Sequence, residues 1–138
     1  MTWNEILFAA VLFPICFYAV WKGSAPERLA VVTILAASFL TPFTDRAGFD
    51  RVEKGILLID MGVMVSFGGI AFTANRFWPL YATAFQSESV LIHALHISPV
   101  PNPLVYADSI AIWAYPVLVA LALGTWRESR KTPWLIFP

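Results

Sequence analysis

Five long runs of apolar residues, separated by short polar segments, dominate the pattern of the chain. An α-helix needs about 20 apolar residues to cross the hydrocarbon core of a bilayer, or about 17 where flanking side chains reach the interface. The runs have this length and predict transmembrane helices at about residues 6–21, 27–43, 55–74, 77–97 and 104–126. The predicted fold is an all-α integral membrane protein, a bundle of five transmembrane helices.

The fourth run is the least regular, because it includes Gln86, Glu88, His93 and His96. An alternative is therefore four spans plus one re-entrant or interfacial segment. Three prolines at 99, 101 and 103 predict an extended link before the fifth run, since proline cannot continue a helix. No internal repeat or long linker divides the sequence, which predicts a single transmembrane helical domain over residues 1–138.

Basic residues predict the orientation, because Lys and Arg accumulate in cytoplasmic segments. With five spans and an external N-terminus, six basic residues lie inside and three outside. With four spans and an internal N-terminus the ratio is the same. Both arrangements place the C-terminus in the cytoplasm. In the five-span arrangement the inner six are Lys22, Arg28, Arg76, Arg127, Arg130 and Lys131; in the four-span arrangement Arg46, Arg51 and Lys54 take the place of the first three.

Composition excludes several classes of protein. The chain is 59% hydrophobic and only 13% charged, too few charged residues to cover the surface of a water-soluble domain. Its formal net charge is zero, and no basic patch is visible, which argues against nucleic acid as a partner. The single cysteine, Cys16, excludes an internal disulfide and a thiolate zinc site.

Ionisable residues within the apolar runs are the candidates for function, since each costs at least about 2.5 to 3.5 kcal/mol to insert. Asp60 lies in the third run, Glu88 and His93 in the fourth and Asp108 in the fifth. If these helices are adjacent, these four side chains and His96 could share a polar pocket, serving as a proton relay, a metal site or a head-group pocket for a quinone or a pigment. The plainer interpretation, which we favour, is hydrogen bonding between helices and exposure at the interface.

A cofactor site is the next possibility. His93 and His96 stand one helical turn apart, and one histidine can ligate a pigment that Trp113 and other aromatic residues pack against. With two histidines in the chain, we predict no bis-histidine haem and no metal site. The sequence requires no cofactor, although a pigment or a quinone would fit. Four other tryptophans, Trp3, Trp21, Trp78 and Trp126, fall at span ends and predict interfacial anchors.

Glycines in the third run predict close helix packing. Gly62, Gly68 and Gly69 would let neighbouring helices approach, so we expect this helix at the centre of the bundle and expect Gly68 to contact a partner. The apolar tail, residues 132–138, is expected to dock on another chain. No catalytic motif is present, and the sequence therefore predicts a protein that is not an enzyme.

Three segments carry a resemblance to a known group of proteins. They are residues 21–28 (WKGSAPER), residues 76–80 (RFWPL) and the fifth run through residues 124–127 (GTWR). In these segments the chain resembles a group of small multi-spanning proteins of bacterial inner membranes. The resemblance covers most of the chain. It implies the membrane topology and a bacterial inner-membrane location, but no activity and no site residue.

The expected function is that of a non-catalytic accessory subunit of a larger membrane complex, of the respiratory or photosynthetic type. Its partners would be membrane lipids and other membrane-protein subunits. One alternative is a small proton-coupled transporter or channel that uses Asp60, Glu88 and His93. Another alternative is a membrane module that binds a pigment, a quinone or a lipid.

Overall fold

A computed structural model describes the backbone of residues 3–44, 49–95 and 103–131, and the side chains of residues 3–44, 54–94 and 112–131. These parts of the chain form five α-helices. Each predicted run corresponds to one helix, and the all-helical prediction is confirmed. The helices are α1 (Trp3–Lys22), α2 (Ala25–Thr44), α3 (Phe49–Thr73), α4 (Trp78–Leu95) and α5 (Pro103–Lys131).

Three of the helices are long and apolar enough to cross a membrane. They are α1, α2 and the part of α3 from Lys54 to Thr73. Only 17 to 22% of the residues in these segments are buried inside the protein. Their large apolar side chains point outward, as Phe72 does with 94% of its surface exposed. In water such a surface would be unfavourable, whereas lipid solvates it.

The five helices form a closed ring in which each helix packs against the next and α5 returns to α1. Short links join α1 to α2 and α3 to α4, so these neighbours are antiparallel. Among the described residues, α2 and α5 are the one pair that also touches across the ring. The prediction that α3 lies at the centre is wrong, because its described residues pack only on α2 and α4.

The core contains a few large side chains among many small ones. Phe67, Leu118 and Leu121 are fully buried, together with alanines such as Ala19 and Ala30. Small residues bring the helix backbones close together, which is how helices associate where lipid is as apolar as the side chains. Gly124 on α5 illustrates the close approach of α5 to α4, because a Cβ atom at this position would overlap the Trp78 ring.

The glycines of α3 do not have this packing role inside the chain. A Cβ atom added at Gly62 or at Gly69 would meet no atom within 4 Å. At Gly68 it would make an ordinary contact of 3.9 Å with Thr83 Cγ2 on α4. The expected close packing at these three positions is therefore absent among the described residues, because Gly62 and Gly69 face outward and Gly68 faces its own neighbouring helix.

Candidate functional site

Two groups of polar side chains occupy different parts of the ring. We call the first the Asp60 cluster; it contains Asp60 of α3 and Gln86, Ser89 and His93 of α4. Gln86 Nε2 donates a hydrogen bond of 3.1 Å to Asp60 Oδ1, and Ser89 Oγ donates one of 3.0 Å to Oδ2. His93 Nε2 lies 3.1 Å from the same Oδ2 atom. One carboxylate is thus in contact with three side chains of a single helix.

Helix periodicity explains this arrangement. Residues 86, 89 and 93 are three and four positions apart, which places them on one face of α4, and this face packs against α3. Asp60 lies six residues from Lys54, about 9 Å along α3. The cluster is largely closed, since the His93 side chain is 2% exposed and that of Asp60 18%. It places a carboxylate next to an imidazole in the interface between α3 and α4.

Not all of the predicted polar residues join the Asp60 cluster. Glu88 is exposed, because it lies two residues from Gln86 and therefore on another face of α4. His96 and the side chain of Asp108 lie outside the described residues, so of the predicted pocket the structure brings Asp60 and His93 together. Gln86 was expected to bond a neighbouring helix, and it does so by donating to Asp60. Among the described residues, no group of three or more His, Cys, Asp or Glu side chains could hold a metal ion.

Trp113, the third candidate for cofactor binding, packs elsewhere. Its ring stacks on Phe85 of α4, with centroids 6.4 Å apart and an interplanar angle of 26°. His93 instead faces α3, two helical turns along α4 from Phe85. The structure therefore gives Trp113 and His93 different neighbours, and in the part of the chain it describes they do not form one ligand site.

The second group, which the sequence analysis did not identify, is the Glu27 cluster: Ser24, Glu27, Arg76, Trp78 and Glu128. Glu27 is fully buried. Its Oε2 atom accepts hydrogen bonds of 2.9 Å from the Ser24 backbone N–H and 2.7 Å from Ser24 Oγ. Its Oε1 atom accepts one of 2.9 Å from Trp78 Nε1. Both oxygens of a buried carboxylate are thus satisfied, as burial requires.

Arg76 supplies the opposite charge in this cluster. Its guanidinium lies 3.6 Å from Glu27 Oε1, forms an ion pair with Glu128 of α5 and donates a hydrogen bond of 2.9 Å to Ser24 Oγ. The residue lies in the link between α3 and α4. It therefore connects that link to the start of α2 and to the last turns of α5, which fixes three parts of the ring relative to one another.

The prediction that Trp78 is an interfacial anchor is wrong. Trp3, Trp21 and Trp126 are exposed at helix ends, as expected of interfacial anchors, but Trp78 is only 6% exposed. Its indole packs edge-on against Phe67 and donates its N–H to Glu27. A polar N–H on a buried ring needs such a partner, and Glu27 provides it.

A sequence signal for Glu27 does exist. Ser24 and Glu27 have the spacing of a capping box, and the glutamate supplies its half of that motif by accepting from the Ser24 backbone N–H. The spacing of these two residues is visible in the sequence. The capping box indicates where α2 begins, but it does not reveal the contacts with Arg76 and Trp78.

Two grooves open on the outside of the ring. One, of about 780 Å³, lies between α4 and α5 and has basic residues at one end and aromatic residues along its length. The other, of about 480 Å³, lies between α2 and α3 and is lined mainly by small and aliphatic residues, including Ala36, Gly62 and Ser66. Neither groove contains a residue of the Asp60 cluster, whereas Arg76, Trp78 and Glu128 line the larger one.

Comparison of the chain with protein-family models, with curated proteins and with solved structures found no match. The geometry of the described residues is therefore the basis for assigning a function. It offers three features: a polar cluster between α3 and α4, a charged cluster that joins helix ends, and two outward-facing grooves.

Proposed function

We propose that the chain is a small non-catalytic subunit of a larger membrane complex and that its α2–α3 groove packs against a helix of another subunit. The observation that carries this proposal is the position of Gly62. A Cβ atom there would meet no atom within 4 Å, and the glycine lies in the wall of the groove. A glycine costs a helix about 1 kcal/mol relative to alanine. Among the residues that the structure describes, nothing packed on Gly62 compensates that cost.

The lining of this groove suits a helix as its occupant. The lining includes four small residues, Ala36, Ala37, Gly62 and Ser66. Small residues allow transmembrane helices to approach each other closely. The hydroxyl of Ser66 donates to Gly62 O, and that of Thr33 donates to Leu29 O. Because both hydroxyls are satisfied within their own helices, an apolar partner helix leaves no donor unpaired.

In this proposal all five helices cross a bacterial inner membrane, with the N-terminus outside and the C-terminus in the cytoplasm. The support is the distribution of basic residues. Lys22, Arg28, Arg76 and the three basic residues that end α5 all belong to the same end of the ring, where α1 ends and α2 and α4 begin. By the positive-inside tendency, that end faces the cytoplasm.

The test is a matched pair of glycine variants with a tag at the C-terminus. After extraction in a mild detergent, co-purifying subunits are identified and quantified by mass spectrometry. We expect wild-type protein to bring down its partners in fixed stoichiometry and Gly62→Leu to lose them. Gly69→Leu is the control, because Gly69 is equally open but is not part of the groove. Equal retention in both variants would contradict the proposed surface.

A second candidate function rests on the Asp60 cluster. An acid and an imidazole 3.1 Å apart at membrane depth favour a small proton-coupled transporter or channel. Of the three residues first considered for this role, Glu88 is not part of the cluster. A wild-type protein that purifies without any partner would contradict the subunit proposal. It would favour this second function, which proton flux in proteoliposomes with Asp60→Asn then tests.

A further inference from the structure

The groove between α4 and α5 has a polar end and an apolar length. Arg76, Arg127 and Lys131 line its polar end, and Tyr81, Tyr115 and Val119 are among the residues farther along it. From Lys131 to Tyr115 the groove follows α5 for about 24 Å, most of the roughly 30 Å of a hydrocarbon core. Its long axis therefore runs along the helices, as an acyl chain does in a bilayer.

The basic residues at the polar end differ in whether another side chain of the protein interacts with their charge. Arg76 is 20% exposed and is held between Glu27 and Glu128. Arg130 lies over the Trp126 ring at 4.6 Å, outside the groove. Arg127 and Lys131 are exposed, and neither has an ion pair with any described residue. Two positive charges at the polar end therefore have no acidic partner among the described residues.

Spacing brings these two cations together. Arg127 and Lys131 are four residues apart on α5, which places them one above the other on the same face. Both line the groove, whereas Arg130 between them does not. The charges of Arg76, Arg127 and Lys131 exceed those of Glu27 and Glu128 by one, so a single anionic group complements the site.

We infer that this groove binds one anionic phospholipid, with the phosphate between Arg127 and Lys131 and an acyl chain against Tyr81 and Val119. Basic pockets between transmembrane helices recognise anionic head groups in this way. A transmembrane helix of a partner would fill the apolar length but would leave the two cations without a counter-charge. The inference does not depend on the proposed function, because the α2–α3 groove is a separate surface.

The experiment uses the whole chain in phosphatidylcholine vesicles. Phosphatidylglycerol or phosphatidylcholine with brominated acyl chains is added at equal mole fraction, and quenching of tryptophan fluorescence is recorded. Trp78 and Trp126 line the groove and report its occupation. We expect brominated phosphatidylglycerol to quench more strongly. Removing one basic residue should lower this preference by about fivefold.

The variants are Arg127→Gln and Lys131→Gln, with Arg130→Gln as the control. All three remove one positive charge from the same end of α5, but only the first two remove it from the groove. Because these side chains are exposed, the variants should fold, which the elution volume and helical circular dichroism verify. Equal quenching by both lipids would mean an ordinary lipid-facing surface and would overturn the inference. An equal loss in the Arg130→Gln control would overturn it as well.

Discussion

The Glu27 cluster and the Asp60 cluster each place a carboxylate among side-chain donors, but they connect the molecule differently. Glu27 contacts Ser24 beside its own helix and is joined through Arg76 and Trp78 to the α3–α4 link, α4 and α5. Asp60 contacts three side chains of α4 alone. One cluster joins several parts of the ring at its basic end, and the other joins two neighbouring helices.

The charges differ as well. Glu27 is fully buried and is paired with a guanidinium, which cannot lose its proton under ordinary conditions. Asp60 is 18% exposed, and its partners are an amide, a hydroxyl and an imidazole rather than a guanidinium. We therefore expect the Glu27 cluster to contribute more to the stability of the fold than the Asp60 cluster. Three substitutions test it, in order of expected effect.

Glu27→Gln should have the largest effect. The variant removes the charge opposite Arg76, and its amide group turns a donor toward either the Ser24 hydroxyl or the Trp78 indole. Breaking a buried ion pair typically costs about 3 to 5 kcal/mol. Equilibrium unfolding in detergent, followed by tryptophan fluorescence, measures the loss. Glu88→Gln, at an exposed position on α4, should change the free energy of unfolding by less than about 0.5 kcal/mol.

Gly124→Ala should have the next largest effect, because the new methyl group would overlap the Trp78 ring. Moving that ring also strains its hydrogen bond to Glu27. Overpacking of this kind costs about 1 to 3 kcal/mol. Gly69→Ala is the matched variant, since its methyl group meets no atom within 4 Å, and it should stabilise α3 by up to about 1 kcal/mol. If both variants were stabilising, the close contact between α4 and α5 would be wrong.

Ser89→Ala should have the smallest effect of the three. It removes one neutral donor from Asp60, which keeps its contacts with Gln86 and His93. The expected loss is about 1 kcal/mol in the same unfolding measurement. Ser87→Ala is the control, because that hydroxyl bonds only to Thr83 O in its own helix. A loss in Ser89→Ala as large as in Glu27→Gln would remove the contrast between the two clusters.

Much of the fold could be predicted because membrane-length apolar runs are visible in the sequence. The first helix was predicted to begin at residue 6 and begins at Trp3, so the prediction placed its start three residues too late. The neighbours of α3 could not be predicted in this way. Apolar residues lie all round its middle part, so the sequence does not show which face packs on protein and which faces outward.

The two clusters differ in predictability for a similar reason. Asp60 stands out because a carboxylate interrupts an apolar run, and this signal is local. Glu27 lies in the first turn of α2, where an acidic residue is ordinary. Its indole partner is 51 residues away, and no local pattern reveals such a contact. Trp78 was misassigned for the same reason, since both an anchor and a buried donor can stand at a helix start.

Because the chain is synthesised from its N-terminus, the contacts of Glu27 can form only in a fixed order. Ser24 is three residues away, so its two bonds can form as soon as the ribosome has completed the first turn of α2. Trp78 is made 51 residues later, after the whole of α3. Until then, of these contacts only those with Ser24 can form. The N-terminal hairpin therefore reaches its final packing only when the start of α4 has emerged.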